Sequence, residues 1–133
     1  MRKIIITKIA LKNNSKINDI NNLTYELRRQ GYYWSNIIDK KNSDENFLSI
    51  HKLEPFAEAP AHIHENEEII FVIEGKIEIN LKNQSFNLST NQICQIPANT
   101  QHSLKNITKT NSKIMVIFGN NDPFSKTSYI KNS

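Results

Sequence analysis

Between residues 46 and 119 the sequence consists of short β-prone stretches separated by turn residues about every 8–12 positions. The stretch KIEINL at 76–81 alternates strictly, so its apolar side chains share one face of a strand. The stretch KIMVIFG at 113–119 is continuously apolar, which predicts a strand buried on both faces. Short strands at this spacing predict an all-β sandwich or barrel.

The segment from Ser15 to Gly31 predicts the one helix of the chain. Ser15 is placed to cap its N-terminus, and Gly31 lies where a C-terminal cap belongs. Residues 2–11, RKIIITKIAL, are rich in β-branched side chains and predict a strand before it. The helix is expected because apolar residues recur at spacings of three and four, which gives one apolar face. These residues are Ile17, Ile20, Leu23 and Leu27.

These patterns divide the chain into three regions. Residues 1–45 are expected to form the strand and helix that pack on the barrel, and residues 46–119 the barrel itself. Residues 120–133 are expected to form a polar C-terminal tail.

Charge and composition limit the classes of partner and the compartment that we expect for this chain. The net charge is +4, but the lysines are scattered, so we expect no nucleic-acid partner. No apolar run approaches the roughly 18 residues of a membrane span, so we expect no membrane partner. Cys94 is the single cysteine, which excludes an intramolecular disulfide and a Cys-based zinc cluster. A reducing compartment, most simply the cytoplasm, fits that cysteine usage.

The stretch HIHENEE at 62–68 holds the first candidate metal ligands. In an extended strand, side chains alternate faces, so His62 and His64 point to the same side. Glu68 keeps that parity. His102 follows the turn at Pro97 and is the candidate fourth ligand from a neighbouring strand. A His-x-His pair on its own is also typical of a polar strand edge, and that alternative stays open at this point.

Together, the two segments resemble the two motifs of the cupin superfamily. The family's first motif is matched at its intervals by four residues: His62, His64, Glu68 and Gly75. The second motif is matched by Pro97, Asn99, His102 and Asn106, with Asn99 replacing a glycine. The resemblance covers about residues 46–119 and implies a double-stranded β-helix, the jelly-roll barrel. It also implies a metal ion held by His62, His64, Glu68 and His102.

The chain departs from the family pattern at three glycine positions. Phe56 stands where the family often has glycine before the first motif, and Asn91 and Asn99 stand at glycines of the second. Asparagine tolerates a left-handed backbone, so the two turns of the second motif can survive. Phe56 is the larger departure: either its ring lies near the mouth of the barrel, or the loop before the motif takes another path.

The resemblance implies one divalent transition metal ion per chain and a small-molecule substrate. Imidazole and carboxylate ligands suit Fe(II), which we favour, and also Mn, Ni, Co or Zn. We favour a dioxygenase, with a metal-assisted isomerase, lyase or cyclase as the alternative. A non-catalytic cupin that binds a sugar or other metabolite is a further alternative. A homodimer is expected, because a partner would cover the apolar strand at residues 2–11.

Other residues receive structural expectations, and no acid or base is assigned. The run Tyr32 to Trp34 is expected to pack the helix on the barrel, with a pocket wall as the alternative. His51 is expected at the surface, with a pocket position as the alternative. Asn106 is expected to hydrogen-bond in a turn, and Cys94 to fill a buried apolar space. By parity, Glu65 and Glu67 are expected to face solvent.

Overall fold

The computed structural model describes residues 15–130, which form two antiparallel sheets. Eleven strands are present in this part of the chain, and the expected all-β class is confirmed. The strands are β1 (Glu26–Arg29), β2 (Tyr32–Ile38), β3 (Phe47–Leu53), β4 (Glu58–Ile63), β5 (Glu68–Glu74), β6 (Lys76–Leu81), β7 (Gln84–Ser89), β8 (Ile93–Ile96), β9 (His102–Lys105), β10 (Ser112–Phe118) and β11 (Ser128–Tyr129).

The chain crosses repeatedly between the two sheets, as in a jelly roll. One sheet has the order β1-β2-β3-β10-β5-β8, and the other has the order β11-β4-β9-β6-β7. Consecutive strands β3, β4 and β5 therefore alternate between the sheets. This alternation brings β4 and β9 side by side in one sheet and places β5 in the other.

The core lies between the sheets and follows the two-residue period of the strands. On β6, Ile77 and Ile79 are fully buried, which confirms the expected inward face. On β10, Ile114, Val116 and Phe118 are buried, whereas the residues between them are only half-buried. The expectation that β10 is buried on both faces is wrong, because a single sheet has its core on one side only.

The helix expected from Ser15 to Gly31 is absent, and no residue from 15 to 130 is helical. Asp19 instead closes a turn. Its carboxylate accepts a hydrogen bond from the amide of Asn21, and its backbone carbonyl accepts one from the amide of Asn22. Gly31 does have a left-handed backbone, with φ of 70°, but it serves the β1–β2 hairpin. The strand expected at 2–11 lies outside the described residues. The described part of the chain also has no helix with the length and apolarity needed to cross a membrane.

Two peripheral segments extend the two sheets, one at an edge of each. The β1–β2 hairpin extends the six-stranded sheet, with Leu27 opposite Tyr33. The C-terminal strand β11 pairs with β4, and Tyr129 lies opposite His62 in that pairing. Side chains from the hairpin and from β11 therefore reach the region around the candidate ligands.

Candidate metal centre

The four candidate ligands converge inside the barrel. His62, His64, Glu68 and His102 are all buried, and one ligand atom from each lies within 4.8 Å of every other. Ligand atoms on opposite sides of a transition-metal ion are separated by about 4 Å, twice the usual bond length. The cluster therefore has the dimensions of a site that could hold a single metal ion.

A β-bulge positions the first histidine. Ala59 pairs with Leu104 and His62 with His102, so β4 has two residues between these pairs where β9 has one. Pro60 occupies the bulge, where its missing N–H interrupts no ladder hydrogen bond. The carbonyl of Pro60 accepts a hydrogen bond from His62 Nδ1 at 2.7 Å. The bulge thus turns the His62 ring toward the interior and also holds it there.

A hydrogen bond to a backbone carbonyl also holds each of the other two histidine rings. His64 Nδ1 donates to the carbonyl of Asn66 at 3.1 Å, and His102 Nδ1 donates to the carbonyl of Thr100 at 2.8 Å. A carbonyl can only accept, so each Nδ1 must carry a proton. In a neutral ring, the proton on Nδ1 leaves a lone pair on Nε2. The backbone therefore sets both the orientation and the tautomer that a metal-binding histidine needs.

Glu68 is the charged centre of the cluster. Its Oε1 lies 2.9 Å from His64 Nε2 and 2.9 Å from His102 Nε2. Burial alone would raise the pKa of Glu68, but the hydrogen bonds from His102 and His64 outweigh it and hold the pKa at about 2. Burial also acts to lower the pKa of His102, but the hydrogen bond to Glu68 outweighs it and raises that pKa. Glu68 is consequently a carboxylate at neutral pH.

The donor set fits a cation. The hydrogen bonds to Glu68 use protons on Nε2 of His64 and His102. When those protons leave, three Nε2 lone pairs and a carboxylate oxygen would repel one another unless a positive ion lay between them. Burial lowers the pKa of His62 to about 4, so this ring stays neutral near pH 7. A divalent transition ion would satisfy all four groups at once, because imidazole nitrogen and carboxylate oxygen are both suitable ligands.

A backbone hydrogen bond connects the two motifs. The amide of Asn99 donates to the carbonyl of His64 at 3.0 Å, which holds the loop before His102 against the first motif.

Within residues 15–130, three residues other than glycine have a left-handed backbone: Asn99 has φ of 60°, Asn91 has φ of 69° and Phe56 has φ of 64°. All three positions that resemble family glycines therefore keep the left-handed backbone without glycine. The ring of Phe56 is exposed and does not line the site.

A small cavity of about 20 Å³ adjoins the four-residue cluster, with Glu68 and His62 in its wall. A cavity of this size has room for about one water molecule. The remaining wall is mainly aromatic and apolar. It is formed by Arg29, Tyr32, Trp34, His51, Ala59, Leu104, Phe124 and Tyr129. A larger surface groove of about 480 Å³ lies around Phe56, but it contains none of the four candidate ligands.

Three of these wall residues correct the expectations from sequence. His51 is 3% exposed and lies in the cavity wall, not at the surface. Its ring stacks on Trp34, with centroids 4.5 Å apart, and its Nδ1 lies 2.8 Å from the Tyr32 hydroxyl. Tyr32 and Trp34 pack against the cavity and not against a helix. The pattern that could have placed His51 is its parity with Ser49 and Leu53 on β3, which are also buried.

Asn106, Glu65 and Glu67 lie as predicted, whereas Cys94, expected to be buried, is only half-buried. Asn106 is fully buried and hydrogen-bonds in a turn, where its amide donates to the carbonyls of Leu53 and Thr110. Glu65 and Glu67 are exposed. Cys94 is half-buried against the core, and burial raises the pKa of its thiol.

Comparison with protein families supports the sequence resemblance. A family model described as the cupin domain matches residues 49–118, which is more than half of the chain. A search among curated proteins found no match for the sequence. The matched range includes both motifs and all four candidate ligands.

Solved structures share the fold at low sequence identity. The polyketide cyclase RemF from Streptomyces resistomycificus superposes with a TM-score of 0.76 and 19% identity, covering 89% of this chain and 87% of that one. The cupin domain of Schizosaccharomyces pombe Cnp3 has a TM-score of 0.68 and 14% identity, covering 77% and 72%. Oxalate decarboxylase from Bacillus subtilis has a TM-score of 0.70 and 17% identity, covering 83% of this chain but 30% of that one. At these identities, the likeness shows the fold alone.

Proposed function

This chain belongs to the cupin family, and we propose that it is a mononuclear metal-dependent enzyme that acts on a small molecule. The observation that carries the proposal is the convergence of His62, His64, Glu68 and His102, with each imidazole held by a backbone carbonyl. Carbonyl partners of this kind are typical of metal-binding histidines, since they select the tautomer with a free Nε2.

A six-coordinate ion would make this an open catalytic site and not a closed structural one. A six-coordinate ion held by these four groups keeps two positions for substrate or solvent, whereas a structural site is closed. Bound Fe(II), which we favour, would supply oxygen chemistry, and a redox-inert ion such as Zn would instead polarise a substrate oxygen. The carboxylate of Glu68 leaves a divalent site with a net charge near +1.

The chain itself shields and orients this site. The ring of Phe118 packs edge-on against His64, with centroids 5.0 Å apart, and Phe124 packs against both. These rings keep bulk water away from the buried side of the cluster. The cavity lined by His62 and Glu68 is the one through which a substrate would reach the ligands, and Phe124 also forms part of its wall.

Metal analysis tests the proposal directly. Protein purified without chelators should hold close to one equivalent of a transition ion, and His62→Ala or His102→Ala should hold less than about a tenth of that. Glu67→Gln is the matched control, because Glu67 belongs to the same motif but is exposed. A wild-type protein that holds no more metal than His62→Ala, even after incubation with Fe(II), Mn(II) or Zn(II), would contradict the proposal.

The favoured reaction is oxygen-dependent, and it needs a separate test. Nitric oxide is a dioxygen surrogate, so anaerobic Fe(II)-loaded protein should give an iron–nitrosyl EPR signal that His62→Ala lacks. An Fe(II)-loaded wild type that gives no such signal would favour the metal-assisted isomerase, lyase or cyclase instead. The fold shared with a polyketide cyclase is what supports that second candidate.

A genetic test separates the enzyme from a binding protein. If the protein only holds a metabolite without metal chemistry, a His62→Ala copy should rescue the phenotype of a deletion as well as the wild-type copy does. We expect no rescue by His62→Ala and full rescue by Glu67→Gln.

We also propose that the protein is a homodimer. The six-stranded sheet ends in β1 and β8 within the described residues, and these edge strands carry exposed Leu27 and Ile93. Pairing with a second chain would cover such an edge. Size-exclusion chromatography with light scattering should give twice the 15.4 kDa chain mass, and a mass of one chain would contradict the dimer.

A further inference from the structure

Two buried hydrogen-bond donors in the cavity wall have no partner among residues 15–130. They are Arg29 Nη1 and His51 Nε2, and both residues line the cavity beside Glu68 and His62. A buried polar atom without a partner destabilises the fold, and a charged one does so more strongly. Two such atoms in one small cavity therefore point to a group that they are built to bind.

The hydrogen bond to Tyr32 determines which tautomer of His51 is favoured. The Tyr32 hydroxyl is buried, and the one acceptor that it reaches in the described structure is His51 Nδ1, 2.8 Å away. If Nδ1 carried the proton, the hydroxyl proton would be buried with no acceptor. The hydroxyl therefore donates to Nδ1, and the proton of the ring resides on Nε2. His51 thus presents an N–H donor to the cavity.

Arg29 presents a permanent positive charge to the same space. Its guanidinium lies 5.8 Å from the ring centres of both Tyr32 and Tyr129, and its Nη2 donates to the Tyr129 hydroxyl at 3.4 Å. The guanidinium cannot lose its proton, and it suits the planar, two-oxygen geometry of a carboxylate. The rest of the wall is apolar or aromatic: Trp34, Ala59, Leu104 and Phe124.

We propose that this cavity binds a small organic carboxylate, whose oxygens accept hydrogen bonds from Arg29 and His51 while its short carbon skeleton packs on the apolar wall. The inference deepens the proposed function, because it names the class of small molecule that the metal centre would act on. A site with net charge near +1 beside Arg29 attracts an anion. The apolar wall disfavours a fully hydrated anion such as phosphate, which would need more donors than the cavity offers.

Entry of a carboxylate requires one wall to move, because the cavity now holds about one water molecule. The segment around Tyr129 is the movable wall. Strand β11 has only two residues, and Tyr129 is 54% exposed. The amide of Ile130 donates to Ala61 at 2.9 Å, so few backbone hydrogen bonds hold the segment in place.

Calorimetric titration of the full chain tests the proposal, with propanoate as the probe and propanamide as its neutral analogue. The titrations are run on Zn(II)-loaded and on metal-free protein. Propanoate should bind the wild type at least about tenfold more tightly than propanamide, because the amide lacks the charge that Arg29 recognises. This comparison uses the wild type alone and does not depend on whether any variant folds.

Variants then assign the effect to the two donors. Arg29→Met should weaken propanoate binding about tenfold or more, and His51→Phe should weaken it to a smaller extent. Arg28→Met is the matched control, because Arg28 lies on the same strand with its guanidinium over Trp34 and outside the cavity wall. The zinc content of Arg29→Met should equal that of the wild type, since Arg29 is not a metal ligand.

Each remaining outcome decides the proposal. Equal binding of propanoate and propanamide, or tighter binding of inorganic phosphate, overturns it. No propanoate binding to either form also overturns it, and the two donors would then be satisfied by ordered water. If the wild type retains no metal but binds propanoate in an Arg29-dependent way, the carboxylate site stands and the proposed metal enzyme falls.

Discussion

His62 on β4 and His102 on β9 are directly paired across an antiparallel ladder, with their ring centroids 4.2 Å apart. The pairing brings together two segments that are forty positions apart in the sequence. A one-residue change in register would turn one of the rings to the outer face of the sheet. The metal centre therefore depends on strand register as much as on the identity of its ligands.

His51 should make the metal-free protein sensitive to acid. Burial is the main cause that lowers the pKa of His51 to about 3, with Arg28 and Arg29 adding to it and Glu68 opposing it. The unfolded chain binds a proton near pH 6.5 and the folded chain does not, so stability falls as the pH falls below 6.5. We expect His51 to lower the free energy of unfolding by about 1.4 kcal/mol for each pH unit between pH 6.5 and about pH 3.

Urea unfolding of chelator-treated protein at several pH values between 7 and 4 measures this effect. His51→Gln should show a shallower dependence than the wild type, because it removes one of the groups that take up a proton on unfolding. His62 has a lowered pKa as well, so some dependence remains in the variant. Identical slopes for the wild type and His51→Gln would contradict the assignment.

Asn106→Ala should destabilise the fold by about 3 kcal/mol. Asn106 is fully buried, its amide donates to three carbonyls, and its oxygen accepts from the amide and hydroxyl of Thr108. Truncation leaves these backbone groups without partners. Asn87→Ala is the control at an exposed position of β7, and chemical denaturation of the two variants gives the comparison.

Gly75→Ala should cost more than about 2 kcal/mol in unfolding free energy, because φ of 89° strains any side chain and the added Cβ meets backbone. That Cβ would lie 3.0 Å from the Cα of Ser112, which is part of strand β10 and cannot swing away. Gly119→Ala is the matched control, since a Cβ there meets nothing within 4 Å. Similar melting temperatures for the two variants would show that the β5–β6 turn yields easily.

Phe56 should tolerate replacement by glycine better than replacement by alanine. Phe56 has φ of 64°, which strains its backbone, and it is 56% exposed, so burial of its ring compensates for little of that strain. Glycine adopts this conformation without strain, so Phe56→Gly should be about 1 kcal/mol more stable than Phe56→Ala. Thermal denaturation of the two variants measures the difference. A more stable alanine variant would mean that the loop adjusts its backbone on substitution.

The left-handed residues show how far a local pattern can be trusted. Phe56, Asn91 and Asn99 occupy positions where the sequence resemblance implies glycine, and all three have positive φ. The resemblance therefore predicted the turns at Asn91 and Asn99, whereas at Phe56 it left the path of the loop open. The orientation of the exposed Phe56 ring was not, because side-chain placement depends on neighbours that are distant in sequence.

The missing helix shows the opposite case. Residues from Ile17 to Leu27 have helical periodicity, but Leu27 is 64% exposed and lies in β1 opposite Tyr33. Differences in helix propensity among ordinary residues are only about 0.7 kcal/mol each, so pairing with an existing sheet can outweigh them. Gly31 fitted both interpretations, because a helix C-terminal cap and a two-residue hairpin both use a left-handed glycine.

The sequence by itself determined the all-β class, the types of the four candidate ligands, and their parity within each motif, because alternation along a strand is a local property. Tertiary structure alone decided the rest: the bulge at Pro60, the pairing of His62 with His102, and the burial of His51. It also decided that Arg29 of an edge hairpin faces the same cavity as Glu68. These outcomes depend on contacts between distant segments, whose energies no local period encodes.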